Sequence, residues 1–432
     1  MPVLLPPVSR RNLIKMSASA AAYGALGSMA AISKQAHAAA GDRKFIFYFA
    51  QGAWDPTPLD PKFGGDGTSA VGGTDMDPGT MRGQAGNLTY SAGNDRLNMD
   101  LFFQDWYQNC TLIRGVDVHS AAHDVGMQWT MTGTTDLTAA DWPTILAARS
   151  PIQYPMPHLV FSGPNYPGTL GGAVVRGGGG TLLRLMDGSI NAYADENAPA
   201  HVWAVDSMID AQVYRRGERF GSTRTGAGAG RLDAFLASLD KTQELEGRLF
   251  EAGLSGDTGS TLEQSMMALE VMRLGLSRCA MIDVPGYWDT HDTNSGVGAQ
   301  LDDFYGVLME VLEYMARTPG VSSPWLLDEV TIVVMSEMGR TPMFNSTGGR
   351  DHWPYASQLI IGNQTRGNLV AGATDDDFLA KAIDLGTGLP SANGTYLGTE
   401  NVGAALLQFG GIDSQEFLNG VDALTAFLPE GA

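Results

Sequence analysis

The chain has 432 residues, 44% hydrophobic and 17% charged, with 47 acidic against 27 basic side chains and a formal charge of −20. That length suits one large domain or two smaller ones and supplies a sizeable core. The negative surface repels nucleic acid and anionic lipid, so neither is expected as a partner, and an anionic ligand needs a locally positive pocket or a metal ion.

The first stretch reads as an address. Ser9-Arg10-Arg11-Asn12-Leu13-Ile14-Lys15 resembles the twin-arginine (Tat) export motif, with Leu13 where Phe is common. An Ala- and Gly-rich run from Met16 to Ile32 follows, and Ala36-His37-Ala38 resembles the end of a signal peptide. The run is too short and too rich in small residues to span well, so no stable membrane anchor is expected. The expectation is a Tat signal peptide over 1–38, contact with the Tat translocase during export, and a periplasmic or secreted product. Residues 1–38 hold Arg10, Arg11, Lys15 and Lys34 and no acid, which leaves 23 basic and 47 acidic groups, or −24, after cleavage.

Residues 39–432 are expected to form a single domain. Six apolar runs of strand length follow in order: Lys44–Ala50, Thr111–Val116, His158–Phe161, Ala280–Val284, Val330–Met335 and Gln358–Ile361. Runs apolar on both faces indicate strands buried on both sides, as in parallel sheets flanked by helices. Between them, Leu97–Asn109, Arg231–Ala252, Leu262–Arg278, Leu301–Arg317 and Asn401–Leu407 carry helical spacing. Leu301, Phe304, Tyr305, Leu308, Leu312 and Met315 form one stripe of the fourth helix, a core face. This alternation predicts an α/β fold with three layers and a mostly parallel central sheet. Gly64–Gly93 reads as a surface-loop insertion, and a second insertion spans about 165–230. Gly177–Gly180 and Gly226–Gly230 read as flexible turns; they lack the strand–loop–helix context and the Lys of a phosphate-binding loop. Cys110 and Cys279 each border an apolar run and read as buried free thiols, with one bridge left open.

Polar groups gather where the strands end, the place where open α/β sheets set their ligand sites. The clusters are Asp55; His119 and His123; Asp289 and His291; and Glu337 with Arg340, Arg350, Asp351 and His352. His158 and His201 read as structural. Carboxylate oxygen with imidazole nitrogen suits Zn²⁺ or Mn²⁺ rather than Ca²⁺ or Mg²⁺. Taken singly, each cluster also reads as a hydrogen-bonded turn, and the last as a salt-bridged loop.

The motifs carry a family resemblance. The twin-arginine start, the Gly52-to-Asp55 turn with Asp60-Pro61-Lys62, Trp288-Asp289-Thr290-His291, Ser336-Glu337-Met338-Gly339-Arg340-Thr341-Pro342, Gly349-Arg350-Asp351-His352-Trp353-Pro354 and Gly372-Ala373-Thr374-Asp375 resemble the Tat-exported domain of unknown function 1501 family. That family is assigned to the alkaline phosphatase and sulfatase superfamily. The resemblance implies an alkaline-phosphatase-like α/β/α sandwich, with Asp55, Asp289, His291, Glu337 and His352 as metal ligands. Met338 stands where that superfamily places a His, which removes one ligand and favours a single metal. No sulfatase-type Cys-x-Pro-x-Arg or Ser-x-Pro-x-Arg motif occurs; Ser120 is the nearest nucleophile by position, though it also suits a helix cap. Arg340 would steady the substrate anion. The expected activity is metal-dependent hydrolysis of a small phosphate or sulfate ester. The rival is a non-catalytic exported binding or envelope-assembly protein on the same fold. A polysaccharide-binding role for the 8 Trp and 13 Tyr ranks last, because they form no platform along the chain.

Overall fold

A computed structural model describes residues 43–177, 203–221 and 259–429. The signal-peptide expectation, the Arg231–Ala252 helix, His201 and the Gly226–Gly230 turn lie outside them, as does most of Gly177–Gly180.

All six apolar runs form strands of one eight-stranded sheet. In chain order the strands are β1 (Lys44–Phe49), β2 (Thr80–Ala85), β3 (Leu88–Gly93), β4 (Cys110–Asp117), β5 (His158–Val160), β6 (Val174–Arg176), β7 (Cys279–Asp283), β8 (Val330–Met335), β9 (Gly339–Arg340), β10 (His352–Trp353), β11 (Tyr355–Ile361) and β12 (Leu369–Gly372). The sheet order is β12-β4-β11-β8-β1-β7-β5-β6. It is mostly parallel; only β11 runs antiparallel, against both β4 and β8. β1 lies at its centre between β7 and β8, and each of its six side chains is buried. Alternation sends Ile46, Tyr48 and Ala50 into one apolar cluster and Phe45, Phe47 and Phe49 into another, as the strand period of two requires.

The described helices are α1 (Leu97–Trp106), α2 (His123–Thr132), α3 (Trp142–Ala148), α4 (Trp203–Gly221), α5 (Thr261–Arg273), α6 (Val297–Arg317) and α7 (Thr399–Phe409). Helices α1, α5 and α6 feed the cluster on the Tyr48 face, and α3 and α7 the cluster on the Phe47 face. The whole predicted stripe of α6 is buried there. Each such side chain stabilises the fold by roughly 1.5–3 kcal/mol. None of the described helices is long and apolar enough to cross a membrane.

The Gly64–Gly93 stretch departs from the expected loop. Its second half is an antiparallel hairpin, β2 with β3, closed by the two residues Gly86 and Asn87. A two-residue connection containing Gly is a hairpin signal in its own right. Cys110 and Cys279 are free and buried. Burial pushes the Cys279 thiol up to about 12, so it stays protonated. His158 is also buried, with Nδ1 3.0 Å from the Thr144 hydroxyl, and desolvation lowers its imidazole to about 3. It is neutral and structural.

Candidate metal centre

The topology brings separate sequence clusters to one edge of the sheet. β1, β4, β7 and β8 run in the same direction, so the turns that follow them emerge together. Antiparallel β11 begins at that edge, and His352 lies just before it, in β10. Thus His123 arrives after β4, Asp289 and His291 after β7, Glu337 and Arg340 after β8, and His352 ahead of β11. The two-residue ladder of β9 and β10 sets His352 opposite Arg340.

Two glycines make the close approaches possible. Gly52, at the end of β1, has φ of 121°, and a Cβ there would lie 2.9 Å from the Asp289 amide nitrogen. Its N–H donates to Glu337 Oε1 at 2.6 Å. Gly349 lies against the turn bearing His291; a Cβ would come within 2.1 Å of the Thr290 carbonyl and 2.2 Å of the His291 carbonyl. Asn345 Nδ2 and the Thr347 hydroxyl also donate to the His291 carbonyl, at 2.9 and 2.7 Å. The backbone of that turn is therefore fixed from several sides.

Three imidazoles surround one carboxylate. His123 Nε2 lies 3.5 Å from Asp289 Oδ2, while His291 Nε2 and His352 Nε2 lie 3.2 and 3.4 Å from Asp289 Oδ1. Each ring has its other nitrogen on an acceptor. His123 Nδ1 is 2.7 Å from Glu337 Oε1, His291 Nδ1 is 2.9 Å from Asp351 Oδ1, and His352 Nδ1 is 2.7 Å from the Ala121 carbonyl. A carbonyl or carboxylate only accepts, so each Nδ1 carries a proton, and each Nε2 is turned toward Asp289, where it can donate to the carboxylate or, unprotonated, ligate a cation. His291 Nε2 and His352 Nε2 then face each other at 2.9 Å. At that separation one protonated Nε2 donates to the other, or a cation lies between two unprotonated ones.

That donor set fits a metal ion. His123, Asp289 and His352 offer ligand atoms within 4.8 Å of one another, and among the described residues this is the group of three or more such side chains that can hold one. Outer hydrogen bonds that fix the ring and the tautomer are the usual companions of imidazole ligands. Burial raises the Asp289 carboxyl, but the Arg340 hydrogen bond and charge outweigh it, with help from His352 and His123, and hold it below the usual carboxylate range. Asp351 is likewise lowered, first by its bond to His291 and then by Asn345.

The other expected site residues have different surroundings. Glu337 is fully buried and receives Gly52 N–H, the Ser336 hydroxyl and His123, so it orients the ring of His123. Asp55 lies in a buried network away from the three imidazoles. Its Oδ2 is 3.0 Å from Arg350 Nε and accepts from Asn294 Nδ2 at 3.1 Å, and its Oδ1 accepts from Thr57 N–H. The Arg350 nitrogen is off the line of a hydrogen bond, so charge holds that pair. Arg340 is fully buried, and its three guanidinium nitrogens are spent on the carbonyls of Gly52, Ala53 and Arg350 and on Asp289. It braces the turns and Asp289 instead of facing solvent. The Ser120 hydroxyl accepts from Ala122 N–H at 3.0 Å, inside the turn that leads into α2. Met338 packs in a small apolar cluster with Ala53, Val118 and Ala356.

His123 is the residue the motifs did not assign. The sequence showed it in a strand-end pair with His119, but nothing in the spacing chose between them. In the structure His123 opens α2 beside Glu337, whereas His119 turns away, with Nε2 3.1 Å from Glu400 and its ring 4.7 Å from Trp129.

Residues 229–386 match the family model described as "Protein of unknown function (DUF1501)". That is the family the motifs indicated, and the matched stretch holds Asp289, His291, Glu337, Arg340 and His352. No curated protein matches the chain. Among solved structures, the chain is similar to the "PsFucS1 sulfatase from Pseudoalteromonas sp.", at 10% identity and a TM-score of 0.34, over 98% of this chain and 76% of that one. It is also similar to "Ps i-CgsB in complex with k-i-k-neocarrahexaose", at 10% identity and a TM-score of 0.32, over 88% of this chain and 75% of that one. At those scores neither likeness bears on substrate.

Proposed function

We propose that the chain is an exported, metal-dependent hydrolase of phosphate or sulfate esters, built as an alkaline-phosphatase-like three-layer α/β/α sandwich. In this reading residues 1–38 are a Tat signal peptide, 39–432 form the domain, and the product is periplasmic or secreted. The observation that carries the proposal is the convergence of three Nε2 atoms on the Asp289 carboxylate, each ring fixed by an acceptor at Nδ1.

His123, Asp289 and His352 would hold the ion, with His291 beside them. The nitrogen-rich set favours Zn²⁺ or Mn²⁺ over Ca²⁺ or Mg²⁺. A bound divalent ion supplies Lewis acidity toward an ester oxygen and lowers the pKa of water. Glu337 fixes the tautomer of His123, Asp351 that of His291, and the Ala121 carbonyl that of His352. Arg340 keeps Asp289 ionised. The half-exposed His291 and Asp289 form the open side where a small anionic ester would enter.

The test is hydrolysis of aryl phosphate and aryl sulfate by the mature protein with Zn²⁺, Mn²⁺ and Ca²⁺, beside His352→Ala. Turnover that needs Zn²⁺ or Mn²⁺ and vanishes in the variant is the expected result. One observation favours a second reading, a metal-binding protein without catalysis: the Ser120 hydroxyl is engaged with its own turn. Stoichiometric metal with no turnover on either ester class would select that reading.

A further inference from the structure

The turn between β4 and α2, residues 118–122, serves two imidazoles of the metal centre at once. It ends at His123, which opens α2, and its Ala121 carbonyl takes His352 Nδ1 at 2.7 Å. Where this turn lies therefore sets where two Nε2 atoms point. Its start is held by backbone: Asp117 N–H donates to the Leu397 carbonyl at 2.8 Å, and Val118 N–H to the Pro354 carbonyl at 2.9 Å. The residues after it are held by side chains. Asp117 Oδ1 accepts from His119 N–H at 2.7 Å, and the Ser120 hydroxyl accepts from Ala122 N–H at 3.0 Å.

In the middle of the turn, His119 has φ of 56°, in the left-handed region, without being glycine. A side chain there is strained and persists where its surroundings hold it. The neighbouring helices supply that hold. His119 Nε2 is 3.1 Å from Glu400 Oε2, in the first turn of α7, and the His119 ring centre is 4.7 Å from that of Trp129 in α2. Asp117 Oδ2 lies 3.6 Å from His119 Nδ1. The base of the clamp is itself tied down, because the Thr399 hydroxyl beside Glu400 donates to the Trp129 carbonyl at 3.2 Å. Glycine would take this φ freely. What the turn gains by the strain is the imidazole and its grip on α7.

We propose that His119 and Glu400 are positioning residues of the metal centre. Their pairing fixes the turn, and through it both the Ala121 carbonyl that orients His352 and the approach of His123. Neither side chain is a ligand. The inference rests on the metal reading above.

The probe is Co²⁺, added to the purified protein, with affinity read by chelator competition and coordination read from the visible absorption of the bound ion. His119→Ala should weaken Co²⁺ by about 10–100-fold and change the absorption bands. Glu400→Ala should match it, because it removes the other half of the pair. His119→Gln keeps an N–H donor for Glu400 and should recover most of the affinity and the native bands. His119→Gly separates the clamp from the strain. It should melt higher than His119→Ala, because glycine adopts this φ without cost, yet bind Co²⁺ as weakly; it stands in if His119→Ala does not fold. Native affinity and bands in His119→Gly and Glu400→Ala, or no recovery in His119→Gln, would overturn the clamp and leave the metal reading standing. So would affinities that simply follow melting temperature across the variants, which would assign the pair to stability alone. A native protein that binds no Co²⁺ would overturn both.

Discussion

Two groups of polar residues meet beside the same sheet edge, and they differ in whether their atoms are spent. In the Asp55 network, Arg350, Arg96 and Asn294 occupy nearly every carboxylate oxygen of Asp55 and Asp77, and the side chains are buried. Around Asp289, three ring nitrogens converge on one carboxylate that is 43% exposed. Aspartates thus close the fold in one place, paired with guanidinium and amide groups, and in the other sit half-exposed among imidazoles that could hold a cation. What separates the two is the partner on the far side of each group.

The largest effect should fall on the closed network. Arg350→Met leaves Asp55 buried without its countercharge and frees the carbonyls of Thr341, Pro342 and Asp75 that Arg350 now satisfies. A loss of about 3–5 kcal/mol in denaturant unfolding is expected, with the metal retained once the protein is folded. Loss of metal without loss of stability would merge the two regions. Glu337→Gln should act the other way. It should lower metal affinity by about 10–100-fold in a chelator competition, because the buried negative charge behind His123, which raises its basicity as a ligand, is replaced by a neutral amide.

The regions should also titrate in opposite senses. Burial first, then Asp55, raises the Asp77 carboxyl against the pull of Arg96. Between the ordinary carboxylate range and that raised value, the folded state keeps a proton that the unfolded state has released. Rising pH therefore costs stability there, and Asp77→Asn should flatten that limb. Asp289 is lowered, so the stability it contributes is present above its unfolded value and fades as pH falls through the folded one; Asp289→Asn should flatten the acid limb. Denaturant midpoints across pH check both, and one shared limb would contradict the distinction. The smallest change is expected from exposed Asp351→Asn, which keeps an acceptor for His291. Metal affinity should fall by about tenfold or less, and stability should move by under about 0.5 kcal/mol.

The sequence was most readable where burial on both faces leaves no choice. Val330–Met335 appears as β8 with the expected bounds, and Lys44–Ala50 as β1 with its last residue outside the strand. The reversal of β11 was not legible, because an apolar run carries no sign of direction. The Gly86-Asn87 hairpin was masked by the surrounding Gly-, Asp- and Ser-rich composition. At the site, Asp289, His291 and His352 stood out as strand-end groups, but spacing could not tell that Asp55 would be claimed by Arg350 or that Arg340 would turn inward. His123 needed the fold itself: its role follows from α2 starting beside Glu337, a contact across 214 positions of sequence.

The central claim is that Asp289 and the inward-facing imidazoles hold a metal ion. Elemental analysis of the purified protein beside His123→Ala and Asp289→Ala tests it most directly. A stoichiometric divalent transition ion in the native protein, absent from both variants, is the predicted result. A folded native protein free of metal, or an ion retained in both variants, would contradict it.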